Sequence, residues 1–238
     1  SHVPELTAVT LPFIFRDPDH QAAALAGRAG ELIGEVLADR GLVTGTFFDA
    51  GTRNSMTKGG PVRTREDLKG LNNRVLSSAT RQKAVEQLGA AAIAMNMAEV
   101  YGALQTGMID GWENNPATCI AFSMYETGCI HFSRTRHVAI PDILILSKRW
   151  LEGIDPSLRD AILEAAAETN AHQRQLWRKM EAEAIETLKE RGMEFHEVDA
   201  ESFRAVFDGF YDPYHAQYGP VFSEILELIV LHPGDPGE

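Results

Sequence analysis

Short apolar segments alternate with longer amphipathic segments through the middle of the chain. The apolar segments predict strands, and the amphipathic segments predict the helices between them. The strands are at 73–77, 91–96 and 108–114, and the helices are at 79–89, 97–107 and 116–128. Strands and helices that alternate at this spacing form βαβ units around a parallel sheet. The carboxyl ends of the strands form the ligand-binding edge of such a sheet.

The segments before this region are less regular. Residues 9–15 predict an edge strand or an extended segment, because a proline interrupts their apolar run. Residues 17–41 predict one helix, which begins at a capping aspartate and ends at a glycine. A strand is predicted at 42–50, and glycines and a proline predict a loop at 51–62.

The segments after the alternating region predict longer strands and longer helices. Residues 131–147 read as one long strand or two joined strands. Residues 155–192 predict a single helix that exceeds ~50 Å at ~1.5 Å per residue, so it spans more than one lobe. Residues 200–230 are helical in pattern, with interruptions around Pro213 and Gly219.

The composition narrows the class of protein. The chain has 238 residues, of which 44% are hydrophobic, which is enough for one large domain or two small lobes. Its formal net charge of -12 disfavours nucleic acid and anionic membranes as partners, because both attract basic surfaces. No apolar run is long enough to cross a bilayer. No signal peptide is visible at Ser1, and the chain starts without an initiator methionine.

Motifs of catalysis and metal binding are missing. The chain has no nucleophile elbow, zinc-protease, P-loop or dinucleotide-binding motif. Among its eight histidines, His131 and His137 are close in sequence, but their spacing suits no zinc motif. Cys119 and Cys129 fit no zinc spacing either; two free thiols are the simpler interpretation, and one disulfide is the alternative. We therefore expect no enzyme, no cofactor and no metal site.

Polar residues at the strand ends predict a binding site. Arg53 follows one predicted strand, Arg74 lies within the next, and Asn114 and Asn115 are at the end of another. A guanidinium binds a carboxylate with two parallel hydrogen bonds, and carboxamides can bind hydroxyl groups. No nucleophile and base accompany these residues, so the pattern favours binding over bond cleavage.

Each of these residues also has a structural interpretation. Arg74 can be an internal ion-pair partner of Asp49, Asp110 or Glu113, and Arg53 can be solvated.

The other candidate residues also have both a ligand-binding and a structural interpretation. Asn115 directly precedes a proline and is the better helix cap, which leaves Asn114 as the better ligand residue. Trp112 can form a flat apolar wall beside a ligand or belong to the core. His137 lies in a predicted strand, where a core histidine is the simpler role.

Four stretches of the sequence resemble a known family. They are LPFIFRD, EDLKGLNNRVLSS, QLGAAAIAMNMAEVYGALQTGMIDGWENNP and IPDILILSKRWLEGI. They resemble the extracytoplasmic solute-binding proteins of TRAP transporters, the DctP family, and the resemblance covers nearly the whole chain.

The resemblance implies an α/β, bilobal periplasmic-binding-protein fold. Two α/β lobes are joined by crossing strands and by one long helix, 156–191. Lobe I is expected to comprise 1–51 and about 138–178, and lobe II about 52–137 and about 179–238. Family members carry a further βαβ unit before the first residue of this chain, so we expect lobe I to be incomplete and some ligand contacts to be missing.

The resemblance also implies residue roles. Arg74 is expected to form the main salt bridge to a ligand carboxylate, Arg53 the second cationic contact and Asn114 a third. The sequence departs from the family where Asn115 replaces a proline that many members have. The resulting ENN run and His137 are similar to a subgroup that binds uronates and related sugar acids.

The implied function is that of a periplasmic receptor. It captures an organic acid anion, with a uronate favoured and a C4-dicarboxylate or a 2-keto or 2-hydroxy acid as alternatives. It then delivers the acid to the membrane permease subunits of a TRAP transporter, and we expect it to be a monomer that binds no nucleic acid. Two other classes stay open: an effector-binding regulatory domain, and an enzyme acting on a carboxylic acid with Glu113 or His137 as the base.

Overall fold

The computed structural model describes residues 3–233 as a mixed α/β fold. The strands are β1 (Leu42–Phe48), β2 (Thr52–Thr57), β3 (Asn72–Val75), β4 (Ala91–Ala94), β5 (Gly111–Asn114), β6 (His131–Ala139), β7 (Asp142–Ser147) and β8 (Glu194–His196). The α-helices are α1 (Pro18–Ala26), α2 (Arg28–Ala38), α3 (Ala79–Leu88), α4 (Met97–Thr106), α5 (Pro116–Ala121), α6 (Lys148–Glu152), α7 (Pro156–Glu190), α8 (Ala200–Arg204) and α9 (Asp212–Val230). Short 3-10 helices cover Pro4–Thr10, Arg65–Leu68, Met124–Thr127 and Ala205–Phe207.

Two sheets organise the described residues. The larger has six strands in the order β4-β3-β5-β2-β6-β8, and β1 pairs with β7 in a separate antiparallel sheet. Strand β3 runs parallel to both β4 and β5, as the alternating pattern predicted. Strand β2 runs antiparallel to both β5 and β6, so the larger sheet is mixed and not purely parallel.

Strand β2 lies in the interior of the larger sheet, where the sequence predicted a loop. The predicted loop at 51–62 is therefore wrong over Thr52–Thr57. The residues from Asn54 to Thr57 are all buried between β5 and β6. Arg53 thus lies on a strand and not in a glycine-rich loop.

Two short links and one long helix connect the parts of the fold. Residues 49–51 join β1 to β2, and residues 140–141 join β6 to β7, so the chain crosses twice between the sheets. Helix α7 has 35 residues, or ~52 Å at ~1.5 Å per residue. The middle of α7 contacts the end of β1, where Gln173 Nε2 donates to the Asp49 carbonyl at 2.8 Å. Near the C-terminus of α7, Leu188 belongs to the core that covers one face of the larger sheet. The crossing strands and the spanning helix are confirmed.

The buried apolar residues form three cores. One covers the face of the larger sheet that carries Trp112 and Phe132, and a second covers the opposite face. The third joins α1, α2 and α9 beside the smaller sheet, with Phe222 and Ile225 fully buried. This position of α9 differs from the predicted division, which placed every residue after 179 in lobe II. The other lobe boundaries stay a prediction.

The N-terminal elements differ from their predictions for local reasons. Residues Pro4–Thr10 form a 3-10 helix, so no strand forms at 9–15. The predicted single helix at 17–41 is two helices that break at Gly27. Its predicted cap is confirmed, because the Asp17 side chain accepts a hydrogen bond from the His20 amide at 2.7 Å.

Both cysteines are free and buried. Burial raises the pKa of Cys119 to about 12 and also raises the pKa of Cys129. The free-thiol interpretation is therefore confirmed. Among the helices of residues 3–233, none combines the length and hydropathy needed to span a membrane.

Candidate functional site

A buried carboxylate lies at the centre of the candidate site. Glu113 on β5 is 3% exposed. Its Oε1 accepts a hydrogen bond from Arg53 Nη1 at 3.1 Å and lies 3.4 Å from Arg81 Nη1. Arg53 Nη1 also donates to the Glu113 backbone carbonyl at 3.2 Å. On the other side, His137 Nε2 is 3.6 Å from Oε2, which is longer than a hydrogen bond.

The surrounding side chains keep Glu113 ionised. Burial alone would raise the pKa of Glu113, but Arg53, His137 and Arg81 together lower it to about 2. Burial lowers the pKa of Arg81 to about 10, against the attraction of Glu113, so its guanidinium stays protonated at neutral pH. The site therefore combines one fixed negative charge with several positive charges.

Arg74 lies near this group but has a different set of partners. It is 1% exposed on β3, and its Nε and Nη2 donate to the Met95 carbonyl at 3.1 and 2.9 Å. Among residues 3–233, no carboxylate oxygen lies within 4.0 Å of its guanidinium. Burial lowers the pKa of Arg74, which indicates that its charge is poorly compensated. The predicted pairing with Asp49, Asp110 or Glu113 is therefore not what the structure has.

The hydrogen bonds of Arg74 leave one edge of its guanidinium available. The Met95 carbonyl occupies the side of the group that Nε and Nη2 share. Nη1 makes no hydrogen bond with the described residues. The end of the guanidinium, formed by Nη1 and the second N–H of Nη2, matches a carboxylate that accepts two parallel hydrogen bonds.

The two asparagines after Glu113 have different roles. Asn115 caps α5, because its Oδ1 accepts from the Thr118 amide at 2.7 Å, and its Nδ2 donates to the Ala50 carbonyl at 3.0 Å. Both ends of this carboxamide are therefore used by the fold, as the cap interpretation predicted. Asn114 is buried opposite Asn54 of β2, and its Oδ1 accepts from the Asn115 amide at 2.9 Å. Its Nδ2 makes no hydrogen bond with the described residues, so Asn114 stays a candidate for ligand binding.

Trp112 and His137 have structural surroundings. Trp112 is fully buried in the core with Met56 and Leu104, so the predicted apolar wall beside a ligand is not its position here. His137 is 6% exposed, and its Nδ1 shares a hydrogen bond of 2.8 Å with Thr135 Oγ1. Its ring therefore binds a neighbouring hydroxyl and lies beside the Glu113 carboxylate without a hydrogen bond to it.

Arg81 is a site residue that the sequence interpretation missed. It lies in the first turn of α3, where the helix dipole disfavours a positive charge. An arginine at that position is a signal of a tertiary partner, which here is Glu113. The strand-end reasoning did not find it because Arg81 reaches the site from a helix.

The site is closed in this conformation. Arg74, Glu113 and Asn114 are all buried, and Glu113 lines a cavity of only about 10 Å³. A cavity of about 280 Å³ opens beside the same sheet, where Asn54 and Arg136 line it. A ligand at Arg74 therefore requires movement of the segments that cover it.

Comparison with known proteins places this site in a family context. The family described as bacterial extracellular solute-binding protein, family 7 (DctP) matches residues 1–217. A solute-binding protein of Chromohalobacter salexigens is 31% identical over 95% of this chain and 67% of its own length. Other curated relatives are matched over 61 to 65% of their lengths, so this chain spans about two thirds of such proteins.

Solved structures agree in fold over nearly the whole chain. A TRAP periplasmic solute-binding protein of Chromohalobacter salexigens with bound D-glucuronate has a TM-score of 0.91 and 30% identity, over 96% of this chain and 76% of that protein. One from Sulfitobacter sp. NAS-14.1 with bound β-D-galacturonate has a TM-score of 0.89 and 30% identity, over 96% and 75%. The bilobal α/β prediction is confirmed.

Proposed function

Because the chain belongs to the bacterial extracellular solute-binding proteins of family 7, we propose that it is the periplasmic receptor of a TRAP transporter for a sugar acid. The ligand is a uronate, such as glucuronate or galacturonate. The receptor carries it to membrane permease subunits without changing it chemically.

The uncompensated guanidinium of Arg74 is the observation that carries this proposal. A buried cation without a carboxylate partner costs free energy, and a ligand carboxylate would offset that cost. Arg53 and Arg81 already share the Glu113 carboxylate, so Arg74 is the arginine that has room for a new anion. The carboxamide of Asn114 would bind a hydroxyl or the second carboxylate oxygen.

Ligand entry requires the two sheets to move apart. Residues 49–51 and 140–141 are the strand links between them, and hinges of this kind consist of a few loop residues. Gly51 in the first link has a φ of +73° and packs closely against Trp177. We propose that opening at these links uncovers Arg74 and that closure buries the ligand carboxylate against it.

Calorimetric titration tests the ligand class. We expect D-glucuronate and D-galacturonate to bind, and D-glucose, which has the same ring without the carboxylate, to show no binding. Succinate tests the C4-dicarboxylate alternative. Arg74→Gln should weaken glucuronate binding by roughly thirtyfold or more, which is the usual cost of truncating a buried charged partner.

Two further variants make the test specific. Arg74→Lys keeps the charge but loses the two parallel donors, so we expect an affinity loss of roughly tenfold. Arg28→Lys is the matched control, because Arg28 is exposed on α2 and pairs with surface glutamates. Unchanged binding in both Arg74 variants, or equal binding of glucose and glucuronate, would refute the proposed site.

The enzyme alternative is disfavoured by the electrostatics. A carboxylate with a pKa of about 2 is a weak base at neutral pH, so Glu113 is poorly suited to remove a proton from a substrate. Arg53 and Arg81 hold its Oε1 in structural ion pairs, and its Oε2 makes no hydrogen bond with the described residues. Incubation with a bound uronate should therefore return the uronate unchanged, which mass spectrometry of the released ligand measures.

A further inference from the structure

A second group of chemically active side chains lies at the edge of the larger sheet. Strand β8 is one of the two edge strands of that sheet and runs parallel to β6. His131 of β6 pairs in register with Glu194 of β8, and the next positions on the same face are Ser133 and His196. Side chains two residues apart share one face of a strand, so the register brings two imidazoles and a carboxylate together.

The distances within this group are short and nearly equal. His131 Nδ1 lies 3.2 Å from His196 Nε2 and 3.2 Å from Glu194 Oε2, and the last two atoms are 3.6 Å apart. Ligand atoms about 2.0–2.1 Å from a tetrahedral zinc ion are about 3.3–3.4 Å from each other. The three atoms therefore have the spacing of three corners of a zinc tetrahedron.

Hydrogen bonding alone explains this arrangement less well. A neutral imidazole nitrogen is either a donor or an acceptor, and a single N–H on His131 Nδ1 cannot point at both of its neighbours. The 3.6 Å between His196 Nε2 and Glu194 Oε2 is too long for a hydrogen bond, so hydrogen bonding does not account for the approach of these two atoms. A cation at the centre would satisfy all three atoms at once.

We propose that His131, Glu194 and His196 form a binding site for a transition-metal ion, with Zn²⁺ as the preferred ion. Two histidines and one carboxylate are a ligand set that zinc uses with a water molecule in the fourth position. The imidazoles are mostly buried and Glu194 is half exposed, so a metal ion and its water can enter from the solvent side. This site is separate from the arginine cluster at Glu113.

A metal ion at this site would connect the edge strand β8 to the neighbouring strand β6. Strand β8 has three residues, follows directly after α7, and its strand partner among the described residues is β6. A metal ion held by both strands would fix β8 and, through it, the end of α7. The proposal therefore predicts a metal-dependent increase in stability and not a change in ligand chemistry.

Metal titration of the untagged, EDTA-treated chain tests the proposal. One equivalent of Co²⁺ should produce the visible absorption of a tetrahedral cobalt site, and Zn²⁺ should displace it. At a hundredfold excess over its Kd, Zn²⁺ should raise the Tm by roughly 5–10 °C. Mg²⁺ and Ca²⁺ prefer oxygen ligands and should not reproduce the effect.

Single substitutions locate the site. His131→Gln, His196→Gln and Glu194→Gln should each abolish the cobalt spectrum and the zinc-dependent rise in Tm. His172→Gln is the matched control, because His172 is exposed on α7 outside the group. Circular dichroism without metal identifies any variant that fails to fold, and the other two variants then decide the result. Absence of a tetrahedral cobalt spectrum, or a zinc effect that survives in the folded variants, would overturn the proposal.

Discussion

Replacing the central carboxylate by an amide, Glu113→Gln, is the sharpest test of the electrostatics of the arginine cluster. The change keeps the shape of a side chain that is 3% exposed and removes one negative charge. Arg53 and Arg81 then lose the carboxylate that they share. Because the remaining cations stay buried, we expect a large loss of stability at neutral pH.

The pKa of Glu113 sets the size and the pH range of this loss. Its pKa falls from an ordinary value of 4.5 to about 2 on folding, which corresponds to about 3 kcal/mol of stability when the group is ionised in both states. Folding favours the ionised form, so this contribution is complete above pH ~4.5 and disappears as the pH falls toward 2. The protonated acid then resembles the amide of the variant, and the two proteins should become equally stable.

Denaturation by urea at a series of pH values measures this difference. At pH 7 the variant should be less stable by about 3 kcal/mol, or roughly 6–12 °C in Tm, and the difference should shrink between pH 4.5 and 2. Glu35→Gln is the control, since Glu35 is exposed and paired with Arg28 on the surface, and it should cause no measurable change. A Glu113→Gln variant as stable as the parent at pH 7, or a difference that does not depend on pH, would refute this reasoning.

Three further predictions test local features of the fold. Gly51→Ala should destabilise the protein by about 1–2 kcal/mol, because a side chain disfavours its φ of +73°, whereas Gly59→Ala should be neutral because open space surrounds Gly59; thermal denaturation measures both. Asn115→Ala should cost at least about 1 kcal/mol, because it removes the α5 cap and the hydrogen bond to the Ala50 carbonyl, and Asn115→Asp should restore the cap alone, because a carboxylate cannot donate to that carbonyl; the same assay measures both. Cys119 and Cys129 should react with a thiol reagent only after denaturation, since burial raises both pKa values; fast reaction of the native protein would contradict their positions.

The sequence predicted the parallel part of the larger sheet and missed its antiparallel part. Strands β3, β4 and β5 are joined by helices, so each boundary is marked by a local change of pattern. Strand β2 has the sequence TRNSMT between glycines, which locally favours a turn. Its strand character comes from β5 and β6 on either side, and these contacts are distant in the chain.

The same distinction explains the predictions about the site. Arg53 and Arg74 were predicted from their positions near strand ends; the structure pairs Arg53 with Glu113, whereas the Met95 carbonyl holds Arg74 on β3. Arg81 reaches Glu113 from a helix 32 residues earlier in the chain, so no local pattern links the two. Trp112 faces the side of β5 opposite to Glu113, where Met56 and Leu104 bury it in the core of that side.

The division of charges explains why the site can be both stable and receptive to an anion. Glu113 compensates Arg53 and Arg81, which fixes β2, β5 and α3 to one another without help from a ligand. Arg74 is held by a neutral carbonyl, which orients its guanidinium but does not cancel its charge. One uncompensated guanidinium matches one carboxylate, and a ligand with a single carboxylate and several hydroxyls satisfies that balance. A dicarboxylate would bring a second charge, and Arg53 or Arg81 could pair with that charge by leaving Glu113. The charge balance of the buried cluster therefore favours a uronate over a C4-dicarboxylate.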